Sequence, residues 1–263
     1  MITLSSGSEA APARAGAVAN RHERGAAREL VVPPLASLSR SRQRAMLEAG
    51  LEVLECRRVL EKGGLNVVGE VLRGQGEFFE FSHYPEDDVY DRDTRSQYYY
   101  HAHRGGMAGE HGHFHTFIRD PESIAGMRPV AAAPESEDIS HLIAVAMDPY
   151  GWPIGLFATN RWVTGERWFE ADDVIALVKR FRIDHAHPSW PVNRWLTAMF
   201  VLFGPHIEAL LRHRDEVVAD WAQNCRLEDV FEDRDLEMTG YLSISVDDLV
   251  RDLQAAVGSS KQE

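Results

Sequence analysis

Five of the chain's twelve histidines fall between Tyr98 and Phe117, in the short segments YYYHAHRGG and GEHGHFHTF. His101 and His103 alternate, as do His111, His113 and His115. Alternate residues of a strand point to one face. Each segment therefore aims its imidazoles at one side of a sheet. The run from Arg104 to Gly109 between them holds three glycines, which suits the turn of a hairpin. Pairing His103 with His111 sets His101 opposite His113 and Tyr99 opposite His115, so that all five rings share one patch. Neutral imidazole is a ligand for zinc, copper, iron and nickel. The chemistry to expect is that of a metal centre.

Geometry limits which histidines can share an ion. Along one strand His111 and His115 stand about 13 Å apart at a rise near 3.3 Å per residue. Metal–imidazole bonds are only about 2.0–2.1 Å long. The expected arrangement is an adjacent pair on one strand completed from the opposite strand. The ligand set this predicts is His101, His103, His111 and His113, with Glu110 or His115 as neighbours. In an ideal strand Glu110 points to the opposite face and reaches the ion only through a bulge or from a loop. Glu110 is the candidate base, and Tyr99 a candidate proton or electron donor that could equally fill a half-buried sheet position. Arg161 could bind a substrate carboxylate, with His115 beside it, although exposure at an edge is as good a reading for the arginine. His185 and His187 form another alternating pair in a proline-flanked loop. They could orient a ligand from behind, against a plainer role in stabilising the turn. His83 could face the same patch and His141 starts a strand, but standing alone each reads as structural, and His206 and His213 read as helix-packing or surface groups.

Two resemblances accompany this reading. Alternating histidines followed by a glutamate resemble the cupin site on a β-barrel, but six residues separate His103 from Glu110, and the glycine expected before His101 is missing. The likeness is one of site and not of membership. The two histidine segments together with FATNRWVTGERW more closely resemble an uncharacterised bacterial family of unknown function. That resemblance covers most of the chain after residue 35 and implies no activity.

The elements that must position these residues form an α+β pattern. Residues 1–30, rich in Ala, Gly, Ser and Arg, are expected to be a disordered arm, and 31–263 a single domain. Apolar residues at helical spacing predict a helix over 43–63, capped by Ser37 or Ser39, and a shorter one over 65–72. Strands are predicted over 77–82, 96–103, 110–118, 141–147, 152–159 and 161–163, in a mainly antiparallel sheet. The acidic run Glu86–Asp93 reads as a solvated turn and the segment 120–140 as a surface excursion or a lid. Helices return over 171–181, over 193–224 with a break at Gly204-Pro205, and over 246–257 behind Ser245.

Bulk composition narrows the partners. With 263 residues the chain can bury a sizeable core. Its formal charge of −13 argues against nucleic acid, whose phosphates need Lys and Arg, and against anionic membranes. Two cysteines, Cys56 and Cys225, are too few for a disulfide framework. No apolar run reaches the length of a membrane span and no secretory leader is visible, which together predict a cytoplasmic protein. Phosphate-cradling loops, dinucleotide fingerprints and nucleophile elbows are absent. The sequence therefore predicts a metalloenzyme with a small-molecule substrate and a divalent transition metal. Iron or copper with oxidoreductase chemistry is favoured over a zinc-dependent hydrolase. A metal-binding or sensing protein without turnover, and a metal-free binding domain, are the competing readings. An oligomer is compatible with everything above.

Overall fold

The computed structural model describes residues 29–103, 108–223 and 227–258. The arm predicted over 1–30 therefore lies almost wholly outside the described residues, as do Cys225 and the hairpin residues 104–107. Among the described residues the chain forms eight helices and six strands. The strands are β1 (Tyr84–Tyr90), β2 (Ser96–His101), β3 (Gly112–Arg119), β4 (Ile139–Met147), β5 (Pro153–Thr159) and β6 (Met238–Ser243). They lie side by side in chain order, every neighbouring pair antiparallel. This is the α+β architecture with an antiparallel sheet that the pattern predicted.

Helices come from both ends of the chain. They are α1 (Arg40–Lys62), α2 (Val67–Leu72), α3 (Pro121–Ala125), α4 (Arg161–Thr164), α5 (Ala171–Val178), α6 (Trp190–Leu202), α7 (Gly204–Ala222) and α8 (Val246–Gly258). Ser39 caps α1 by accepting a hydrogen bond from the Arg42 amide, and Ser245 does the same for the Asp248 amide at the start of α8. Alternation along the strands divides the sheet into two faces. Tyr98, Tyr100, Phe114, Ile118, Val145 and Leu156 join the apolar residues of α1, α5, α6, α7 and α8 in the main core. Residues of opposite parity in β2 and β3, among them Tyr99, His101, His113, His115 and Phe117, take the other face.

Three elements differ from the prediction. The EFFEFS segment is not a strand. Phe81 adopts a left-handed backbone (φ 67°) that breaks any ladder, and the Phe79 amide donates to the Tyr84 hydroxyl instead (2.6 Å). The strand begins where the segment was expected to end. It runs through the acidic run at the sheet edge, where a bulge between Tyr84 and Val89 accommodates Glu86, Asp87 and Asp88. Edge strands tolerate charge and proline that central strands cannot. Residues 161–163 form the helix α4, because the Asn160 side chain turns back to accept the Arg161 amide at 2.9 Å. The sixth strand is instead β6, whose Gly240 weakens the strand signal. A Cβ there would stand 2.9 Å from Leu210 and 3.0 Å from His213 of α7, so glycine is what lets helix and sheet meet.

No helix among the described residues is long and apolar enough to cross a membrane.

Candidate metal centre

The hairpin of β2 and β3 sets His101 opposite His113 and Tyr99 opposite His115. Residues opposed in an antiparallel pair share a face, and three imidazoles converge there. One ring nitrogen from each of His101, His113 and His115 lies within 4.8 Å of the others. The ring centroids are 4.5 Å apart for His101 and His113, 4.7 Å for His113 and His115, and 5.1 Å for His101 and His115. Nε2 of His101 and Nε2 of His113 are separated by 2.7 Å. That is close to the roughly 3 Å between neighbouring ligands that metal–nitrogen bonds near 2.0–2.1 Å impose.

Partners behind the rings fix their orientation. Nδ1 of His113 is 2.5 Å from Oε1 of Glu110, and both side chains are about 5% exposed or less. Donation from Nδ1 to the carboxylate leaves the lone pair on Nε2, facing the other histidines. Nδ1 of His115 lies 3.0 Å from Nε2 of His141. The other nitrogen of His141 stands 3.5 Å from the Thr159 hydroxyl. A carboxylate behind one ring and an imidazole behind the next is the kind of support that sets tautomer and ring angle in metal sites.

Burial keeps these rings neutral. It holds the His101 imidazole down to about 3, helped by charge on His113, His103 and His83. His141 is likewise pushed down to about 3 by burial, with Arg214 adding to the effect. His115 is held well below the ordinary value, by burial and then by its histidine neighbours. Burial also lowers His113, although the Glu110 hydrogen bond opposes it. Neutral imidazoles carry the lone pairs a metal needs.

Below the cluster the buried Glu166 accepts the backbone amide of His141 at 2.5 Å. Burial raises its carboxyl to about 8, against the opposing pull of Arg214 and of that amide.

The remaining candidates are placed as follows. His103 lies beyond the end of β2, its ring centroid 5.4 Å from that of His113 and 5.7 Å from that of His101. It borders the cluster without joining it. His111 precedes β3 and turns to the other side of the sheet, where its Nδ1 meets the Tyr100 hydroxyl at 2.6 Å. Alternation fails there because the ladder starts only at Gly112. At Gly112 a Cβ would stand 2.5 Å from the His101 carbonyl oxygen and 2.6 Å from the Tyr100 hydroxyl. Glu110 reaches His113 from outside the strand, the route a loop position allows. Tyr99 packs with Phe117 and Ile139, and burial raises its phenol well above the usual range.

Arg161 is buried and already engaged. One guanidinium nitrogen donates to Asp229 at 2.6 Å and to Glu232 at 2.9 Å, while the buried Nε has no hydrogen-bond partner among the described residues. His115, the other substrate-binding candidate, lies buried within the triad at 1% exposure. The loop carrying His185 and His187 lies on the helical side. The Asn193 side chain donates to both of their carbonyl oxygens at 2.8 Å and accepts from Tyr98, a core-facing residue. His141 and His83 were read from sequence as structural. His141 proves to sit directly behind His115, and the His83 ring stacks on Tyr99 at 3.5 Å. A lone histidine carries no spacing signal, so only the pairing of β4 with β3 reveals the first of these.

Fold and site together define an α+β protein with a three-histidine cluster that could hold a metal ion. Residues 47–244 match the family described as "Domain of unknown function (DUF6969)", and the chain belongs to that family. The match takes in the whole cluster. Neither a curated protein nor a solved structure matches the chain.

Proposed function

We propose that the protein holds a divalent transition metal on His101, His113 and His115 and acts as a metalloenzyme on a small molecule. The observation that carries this reading is the convergence of three neutral imidazole nitrogens within 4.8 Å. Three histidine ligands leave coordination positions for substrate, dioxygen or water. His101 is the least buried of the three, so the open side faces the edge where His101 and His103 emerge. When bound, the ion would supply Lewis acidity and, for iron or copper, electron transfer.

The protein's own groups do the positioning. Glu110 orients His113, and His141 orients His115. Glu110 approaches the ring nitrogen remote from the cluster, which leaves it poorly placed as a base on the open side. This supports oxidative chemistry over zinc-dependent hydrolysis.

Elemental analysis of protein purified without an affinity tag tests the proposal. One equivalent of iron, copper or zinc is expected, and a visible spectrum separates the first two from the third. His113→Ala and His115→Ala should each lose the metal and remain folded. Failure of the wild type to retain any of these metals after reloading would overturn the proposal.

A further inference from the structure

The open side of the cluster is lined by parallel rings. Along β2 and the residues just past it, Tyr99, His101 and His103 follow one another. On one flank of His101 the His83 ring stacks on Tyr99, with centroids 3.5 Å apart and planes 9° from parallel. On the other flank Phe81 stacks on His103, with planes 10° from parallel and centroids 5.8 Å apart. His101 sits between the two stacks, 6.0 Å from His83 and 5.7 Å from His103. Stacked rings thus flank His101 on both sides.

Phe81 is held there against ordinary preference. Its side chain is left in water, as the residue is 69% exposed. Its backbone takes a φ of 67° that non-glycine residues adopt only when their surroundings require it. Its amide donates to the Ala102 carbonyl oxygen at 2.8 Å, which ties the turn to the end of β2. Phe79, in the same turn, is 57% exposed. Nothing in folding requires a phenylalanine to be both strained and solvated, so the gain lies in what the ring meets.

We infer that the site receives an aromatic molecule of the phenol class, which stacks against the exposed ring of Phe81 with its hydroxyl directed at the histidine triad. The inference rests on the metal-centre reading in that it names the substrate class of the same site.

The test compares phenol and cyclohexanol as probes of the full chain, by ligand-observed NMR titration. It is run on zinc-loaded and on EDTA-treated protein. Aromatic pairing predicts that phenol binds about three- to tenfold more tightly than cyclohexanol. Phe81→Leu and Phe81→Ala should each abolish the preference for phenol while leaving metal content and melting temperature at wild-type values. Phe81→Leu keeps apolar bulk and removes only the ring. Equal binding of phenol and cyclohexanol by the wild type, no binding of either, or a preference that survives in both variants would overturn the inference. The zinc content of the loaded arm separates the two claims. A phenol preference in protein that retains no zinc after loading sinks the metal-centre reading alone, whereas retained zinc without that preference sinks only the aromatic substrate.

Discussion

The buried histidines and the buried Glu166 pull stability in opposite directions with pH, and their combined effect should give the metal-free protein a maximum near pH 6.5. His101 and His141 stay neutral down to about 3 in the folded chain, whereas an exposed histidine protonates near 6.5. Below 6.5 the unfolded state therefore binds protons that the folded state refuses. Stability falls by about 1.4 kcal/mol per pH unit for each ring. Between pH 6.5 and 4.5 each ring contributes a loss of about 2.7 kcal/mol, and His113 and His115 act in the same direction. Glu166 works the other way. Its folded carboxyl titrates at about 8 against an ordinary 4.5, so the folded state holds the extra proton. Its contribution is fully present below 4.5 and is lost as pH rises through 8. That gives a decline of about 2 kcal/mol from pH 6.5 to 8, and a net loss of about 3 kcal/mol from 6.5 to 4.5 once the two rings are set against it. Such changes are a large share of a typical folding stability of about 5–15 kcal/mol. Urea unfolding in EDTA from pH 4.5 to 8.5 reads the curve directly. Glu166→Gln should remove the alkaline decline and steepen the acid one. A curve that rises between 6.5 and 4.5, or an alkaline limb untouched by Glu166→Gln, would refute the assignment of these groups as buried and neutral.

Other consequences follow from individual contacts. Glu110→Gln keeps the shape behind His113 but removes the charge, and should weaken metal binding by about 10–100-fold in a competition titration with a chelator, with little change in melting temperature. Gly112→Ala forces a methyl group against the His101 carbonyl oxygen and the Tyr100 hydroxyl. It should cost about 1–3 kcal/mol of stability in urea unfolding and loosen metal retention as well, because the crowded backbone atom belongs to a ligand. Burial, with Glu52 beside it, raises the Cys56 thiol to about 12. In a Cys225→Ser background it should therefore react with a thiol reagent at pH 8 only at the rate of unfolding; rapid labelling of native protein would contradict its burial.

How far the site could be read from the sequence depended on whether each signal was periodic. The His101/His113 and Tyr99/His115 pairings follow from alternation plus a glycine-rich turn, and so does the rule that an adjacent pair on one strand is completed from the other. The rule selects His113 and His115 rather than His111 and His113, because alternation holds only inside the ladder and His111 stands one residue outside it. The helices 40–62, 190–222 and 246–258 were legible for the same reason, their apolar stripes being long. The edges were not. β1 carries its charge on an edge strand with a bulge, and β6 contains a glycine required by α7, so neither has the alternation of a central strand. The supporting groups were hardest to see. His141 and Glu166 act through tertiary proximity, one behind a ring and the other on its backbone amide, and nothing in their local sequence marks that. A ligand set is thus readable where one hairpin supplies it, whereas the groups that hold it neutral and oriented emerge only when β4 and the residues after β5 pack against it. Substitutions at His141 or Glu166 should therefore disturb the site as much as those at a neighbouring histidine outside the cluster, such as His103, despite carrying no motif of their own.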